Sequence, residues 1–269
     1  MKTIKHFLRS IGNRVVPPGS SLSRVPYPVS LRRKDPRPEC VPPGGGPEAF
    51  DQKAAEEINQ ARMAHLASLG LPLAGKNVLD VGCGVGHLAA HLTTLGCAVV
   101  CLDARPQNIA SLRARYPHLK AHVADVEREP LAPFGQFEIV FAYGLLYHLE
   151  SPLAALRNME SVCKELLLLE TMVCDLRLPA LRLEDESPVF SQALAGLGCR
   201  PSPSYVVAAL NRIGFAHVYA PQAPPEHPDF RFTWKNNFDS WRDGRPLRCI
   251  FVASRAALRN SNLRALLED

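Results

Sequence analysis

No apolar run in this 269-residue chain comes near the ~20 residues that a membrane-spanning helix needs, so a helical membrane protein is not expected. The basic N-terminus has no apolar core and no small-residue cleavage site, so it does not read as a secretory signal. The eight cysteines (Cys40, Cys83, Cys97, Cys101, Cys163, Cys174, Cys199 and Cys249) include no C-x-x-C pair. Neither a zinc ribbon nor a thioredoxin-like redox motif is expected. The cysteines read as reduced thiols of a cytoplasmic protein. His65, His87, His91 and His118 show no ligand spacing, and Asp175, Glu184, Asp185 and Glu186 read as a solvated acidic turn, so no metal site is expected. No G-K-[ST] tripeptide occurs, which excludes a P-loop. No internal repeat is visible.

What is present suits one sizeable domain with extensions. Hydrophobic residues make up 46% of the chain and charged residues 21%, ordinary values for a globule with a real core. The net charge of +5 is unevenly placed. Residues 1–47 hold nine basic and two acidic side chains, which leaves a slightly acidic body. Within residues 1–15, Ile4, Phe7, Leu8, Ile11 and Val15 follow helical spacing with Lys2, Lys5, Arg9 and Arg14 between them. This predicts a short basic amphipathic helix, either packing on protein or resting peripherally on an anionic membrane. Residues 16–46 are dense in proline and glycine and read as a linker.

From residue 47 to 255 the pattern is that of a folded domain. Phe50, Ala54, Ile58, Ala61, Leu66 and Leu69 form the apolar stripe of a helix. Strands at Asn77–Val81, Ala98–Leu102, Lys120–Ala124, Phe137–Ala142 and Glu165–Glu170 follow, with helices at Gly86–Leu95, Pro106–Arg115 and Pro152–Val162 between them. Such alternation implies α/β class and a parallel, doubly wound sheet. Residues 172–202 break the rhythm and read as an insertion. A helix at Pro203–Ile213 and strands at Phe215–Ala220 and Arg248–Ala253 restore it. Residues 256–269 are expected to form a C-terminal helix.

The most informative run is Val78-Leu79-Asp80-Val81-Gly82-Cys83-Gly84-Val85-Gly86-His87. A buried strand leads into a carboxylate and three alternate glycines, and a helix opens at once. Glycines there allow a sharp turn and close approach of a nucleotide-like ligand, while the helix start offers unpaired N–H groups. A dinucleotide fingerprint would need glycine in place of His87. Asp80-x-Gly82-x-Gly84-x-Gly86 instead resembles the first motif of class I S-adenosylmethionine (SAM) dependent methyltransferases. Gly144-Leu145-Leu146-Tyr147-His148-Leu149 resembles a segment shared by enzymes that modify small molecules or sugars and by the carboxymethyl transferases of wobble uridine in tRNA. Glu170-Thr171 is also similar to the latter. The resemblance covers residues 50–171 well and the remainder loosely. It implies a Rossmann-like, seven-stranded sheet of order 3-2-1-4-5-7-6 with strand 7 antiparallel.

An acidic residue about twenty positions after the glycines commonly holds ribose hydroxyls, and Asp103 stands there with Ala104 beside it. The resemblance implies that Asp80, Gly82, Cys83, Gly84 and Gly86 cradle SAM. It likewise implies that Asp125 and Val126 meet the adenine, with a turn-starting Asp125 as the plain alternative. Tyr143 is implied beside the methionine part. His148 is the candidate base, since imidazole takes a proton near neutral pH; the other reading is a backbone-bonded structural histidine. Tyr147 and Glu170 are secondary candidates. The tRNA enzymes carry a tryptophan and lysine cluster ahead of the glycine loop; here residues 47–79 hold no tryptophan and only Lys53 and Lys76, which counts against a carboxylated cofactor. Substrate recognition is expected in the insertion and in residues 224–237, where aromatic, cationic and amide groups, Trp234 included, suit a polar ring-containing ligand. The acceptor expected is a small polar molecule, with a sugar or glycosylated metabolite as the leading kind. The rivals are a tRNA acceptor and a non-catalytic SAM-binding scaffold. Composition leaves the oligomeric state open.

Overall fold

The apolar runs of the sequence become strands buried on both faces. The structure, a computed structural model, describes residues 45–186, 192–194, 196–233 and 246–267. The helix expected at 1–15, nearly all of the linker, Trp234 and Trp241 lie outside the described residues. In β1 (Asn77–Val81) four consecutive residues are buried, and β4 (Phe137–Tyr143) is buried at all but one position. Burial on two sides is what a parallel sheet covered by helices demands.

β1 pairs in parallel with β4 and with β2 (Ala98–Asp103). β2 pairs in parallel with β3 (Lys120–Val123), and β4 with β5 (Cys163–Met172). The insertion forms a separate antiparallel hairpin, β6 (Leu181–Asp185) with β7 (Leu197–Pro201). β9 (Arg248–Ser254) runs antiparallel between β5 and β8 (His217–Pro221). With β9 and β8 as strands seven and six, the order is the expected Rossmann-like 3-2-1-4-5-7-6, including the antiparallel strand. β10 (Leu263–Ala265) adds an eighth strand beyond β8.

β10 also corrects the expected helix at 256–269. Asn260 and Asn262 donate side-chain hydrogen bonds to the carbonyls of Leu69 and Ser68, and Asn260 Oδ1 accepts from the Asn262 amide. Asparagine side chains compete with helical backbone bonds and favour turns, so Leu263 enters the sheet edge instead, where it is buried. Residues 268 and 269 lie outside the described residues.

Helices α1 (Lys53–Ser68), α2 (His87–Thr94) and α3 (Pro106–Arg115) cover one face of the sheet; α4 (Pro152–Val162) and α5 (Pro203–Ile213) cover the other. Proline opens α3, α4 and α5, where its missing N–H costs no helical bond. The carboxyl ends of β1, β2, β3 and β4 therefore meet at one edge. In open α/β sheets that edge is where ligands bind.

Candidate active site

The loop after β1 is tied to the end of β2. The amides of Gly82 and Cys83 both donate to the Leu102 carbonyl, at 2.7 and 3.0 Å. The Gly84 amide donates to Asp103 Oδ2 at 3.0 Å. Asp103 Oδ1 accepts from the Arg105 amide and from Asn108 Nδ2 at 2.9 and 3.1 Å. Burial pushes the Asp103 carboxyl up, and these donors work against it. Oδ2 keeps acceptor capacity toward the cavity that Asp103 lines.

Gly84 has φ +55°, a left-handed conformation that favours glycine. A Cβ there would stand 2.5 Å from the Phe50 ring. The space beside Gly84 is thus filled by a side chain from the 3₁₀ turn Pro47–Asp51, a contact absent from the motif reading. That turn is fastened by Asp51, which takes 2.6 Å hydrogen bonds from Arg115 and lies 3.1 Å from His87. The Arg115 bond holds the Asp51 carboxyl at about 2.

A cavity of about 550 Å³ opens at this edge. Gly82, Cys83, Asp103, Ala104, Asp125 and Val126 line one end. Tyr143, Tyr147, His148, His227, Asp229 and Arg248 are also among the lining residues, as is Arg62. Asp80, Gly84 and Gly86 stand behind its wall and shape the loop. Asp125 lines the cavity, and its Oδ1 accepts from the Glu127 amide at 2.9 Å to start a turn.

Three buried polar atoms near the loop lack a hydrogen-bond partner among the described residues: Asp80 Oδ2, the Tyr143 hydroxyl and Arg62 Nε. Burial, and then the Asp103 charge, raise the Asp80 carboxyl to about 8. A carboxyl whose folded pKa is raised above its unfolded value gives stability that is present at low pH and lost as pH rises, here between about 4 and 8. Asp80→Asn is therefore expected to raise the melting temperature of the ligand-free protein at pH 8 by at least ~2–4 °C and to change it little at pH 4. Thermal scans at the two pH values check this; an equal shift at both would show that charge is not the cause.

Sequence reasoning missed Arg62 and Arg248. Arg62 lies in the buried stripe of α1, four residues from both Ile58 and Leu66, and a cation in an apolar stripe is the signal that could have found it. It pairs with Glu170, which is fully buried; Arg248 Nη1 donates to the same carboxylate at 3.1 Å. Burial works to raise Glu170, but Arg62 and Arg248 outweigh it and hold the carboxyl below the usual range. Glu170, weighed as a secondary base, is thus the centre of an ion-pair triad and does not line the cavity. Arg248 also bonds Asp229 at 3.2 Å, lies over the Tyr147 ring at 5.0 Å and reaches its hydroxyl at 3.5 Å. Tyr147 and His148 both line the cavity, and Arg248 lies against the Tyr147 hydroxyl.

Residues 79–166 match the family described as a methyltransferase domain. The ubiquinone biosynthesis O-methyltransferase of Cereibacter sphaeroides is 37% identical over 103 residues, 37% of this chain and 40% of that one. The tRNA U34 carboxymethyltransferase of Shewanella putrefaciens is 37% identical over 111 residues, 39% of this chain and 33% of that one. The chain thus spans well under half the length of these relatives. The N-terminal domain of EvdMO1, solved in the presence of SAH and D-fucose, superposes with a TM-score of 0.57 at 18% identity, over 76% of this chain and 84% of that one. The magnesium protoporphyrin IX methyltransferase (ChlM) of Synechocystis PCC 6803 with bound SAM gives 0.50 at 17% identity, over 75% and 79%. These structural likenesses show the fold.

Proposed function

From the premise that residues 79–166 are a methyltransferase domain set in the class I, Rossmann-like sheet, we propose that the protein takes SAM as cofactor and methylates a small polar acceptor at a hydroxyl. One observation carries this reading: a cavity lined by a tethered carboxylate, Asp103, is also lined by an imidazole, His148. Its volume of about 550 Å³ suits a cofactor with a small partner.

The residues present fit the cofactor. Asp103 would hold the ribose hydroxyls, and Asp125 with Val126 the adenine. The unpartnered atoms of Tyr143 and Arg62, both on the cavity wall, match the amino acid part, which carries one positive and one negative group. When bound, SAM supplies an electrophilic methyl group. The chain's own part is to hold an acceptor oxygen in line, exclude water and receive a proton, for which His148 is placed.

Charge favours a neutral acceptor. Among the described residues at this end, Arg248 pairs with Glu170 and Asp229, Arg62 with Glu170, and Arg200 with Glu186. A neutral hydroxyl compound leaves these pairs intact, whereas an anion would compete with them. A sugar or glycosylated metabolite is the leading class. The relative named as a tRNA enzyme and the basic segment 1–47 favour tRNA as the second reading; the slightly acidic body opposes it.

The test is transfer of labelled methyl from SAM into a cell extract divided into small-molecule and RNA fractions. Label in the first supports the proposal, and label confined to RNA makes tRNA the acceptor. No label and no S-adenosylhomocysteine (SAH) formed would leave a scaffold. Asp103→Ala is expected to weaken cofactor binding by about 1.5–3 kcal/mol, or ~10–150-fold, measured by calorimetry on the folded variant. Unchanged affinity would place the ribose elsewhere.

A further inference from the structure

The insertion hairpin is fastened to the 3₁₀ turn Leu146–His148. Cys199 Sγ meets the Leu146 carbonyl at 3.3 Å, and Arg200 Nη1 donates to the Tyr147 carbonyl at 3.2 Å. Gly198 makes this approach possible, because a Cβ there would collide with the Tyr147 carbonyl oxygen and stand 3.0 Å from Glu186 Cγ. Glu186 follows β6 directly, and its side chain is only 9% exposed. Its Oε1 accepts from Arg200 Nη2 at 3.1 Å, and its Oε2 lies 3.3 Å from His148 Nδ1. That nitrogen is buried and has no aligned hydrogen-bond partner among the described residues. Hydrogen bonds of this kind are often poorly aligned in ligand-free sites and tighten when the site fills.

We propose that Glu186, delivered by the insertion, is the positioning residue for His148: it holds the imidazole by Nδ1 and leaves Nε2 to receive the acceptor proton. This rests on the reading of His148 as the base. A carboxylate at Nδ1 selects the Nδ1–H tautomer, so the Nε2 lone pair is free. In the transfer, the acceptor O–H proton passes to Nε2 and the oxygen lone pair forms the bond to the methyl carbon. The electron pair of the broken carbon–sulfur bond stays on sulfur. Glu186 then faces an imidazolium and stabilises it. Burial, Arg200 and Arg248 all oppose that charge, and Glu186 is the group that favours it. Without the carboxylate, the imidazole would keep two positive neighbours and no counterion.

Nitrogen-15 NMR of the full chain labelled at histidine tests this without knowledge of the acceptor, with His148→Gln used to assign the signal. In the wild type, His148 is expected as the Nδ1–H tautomer. In Glu186→Gln its titration midpoint is expected to fall by about one pH unit or more, and the tautomers to mix; Glu186→Asp should restore both in part. An unchanged tautomer and midpoint in Glu186→Gln would overturn the proposal, as would an Nε2–H tautomer in the wild type, which can be read even if the variant fails to fold. SAH titrated into the same samples keeps the cofactor reading separate: it should bind wild type and Glu186→Gln alike. Failure to bind the wild type would count against the cofactor, not against Glu186.

Discussion

His148→Ala is expected to lower kcat by about 10²–10⁴-fold on the acceptor that the labelling experiment identifies, with cofactor affinity unchanged. The proton from a hydroxyl acceptor then has no positioned base, while Asp103 and Asp125 remain in place. Burial lowers the His148 pKa below 6.5, against the pull of Glu186, so the imidazole is neutral and ready at neutral pH. Wild-type activity should accordingly hold through neutrality and fall only at acid pH, as the lowered pKa is crossed. The linked effect on stability has the same sign. The unfolded state binds the proton first, so stability declines as pH drops below 6.5. A purely structural His148 would behave otherwise: the variant would melt earlier while each folded molecule turned over normally.

Glu170→Gln is expected to destabilise the protein by about 3–5 kcal/mol. The carboxylate is fully buried and is shared by Arg62 and Arg248. Neutralising it leaves two guanidinium groups facing each other across an uncharged amide. For the wild type, the depressed Glu170 pKa gives stability that is present above about 4.5 and is lost as pH falls through the folded value. Urea unfolding at pH 7 and at low pH measures both. A variant that loses less than ~1 kcal/mol at pH 7 would mean that the triad is solvated in solution.

The sheet was legible because its signals are local. Helices at Pro106–Arg115, Pro152–Val162 and Pro203–Ile213 are bounded by prolines and apolar spacing that any window of the chain displays. The strand order was not contained in periodicity and came from resemblance. The part of the cavity around Asp103 was legible because its loop and carboxylates sit at the carboxyl ends of consecutive strands. The part around Arg248 was not. Arg62 and Glu170 are 108 residues apart, and Arg248 lies 78 residues further on, so nothing local announces the triad. Glu186 belongs to what read as a solvated acidic turn, and only the packing of β7 on the Leu146–His148 turn buries it. The C-terminal segment misled in the opposite way: where a helix was expected, Asn260 and Asn262 hold turns and Leu263–Ala265 forms a strand.

The most direct measurement is calorimetric titration of the purified full chain with SAH. The result expected is saturable binding of one molecule per chain, weakened ~10–150-fold by Asp103→Ala. A folded wild type that takes up no SAH, or an Asp103→Ala variant that binds it as tightly as the wild type, would contradict the assignment of this cavity to the cofactor.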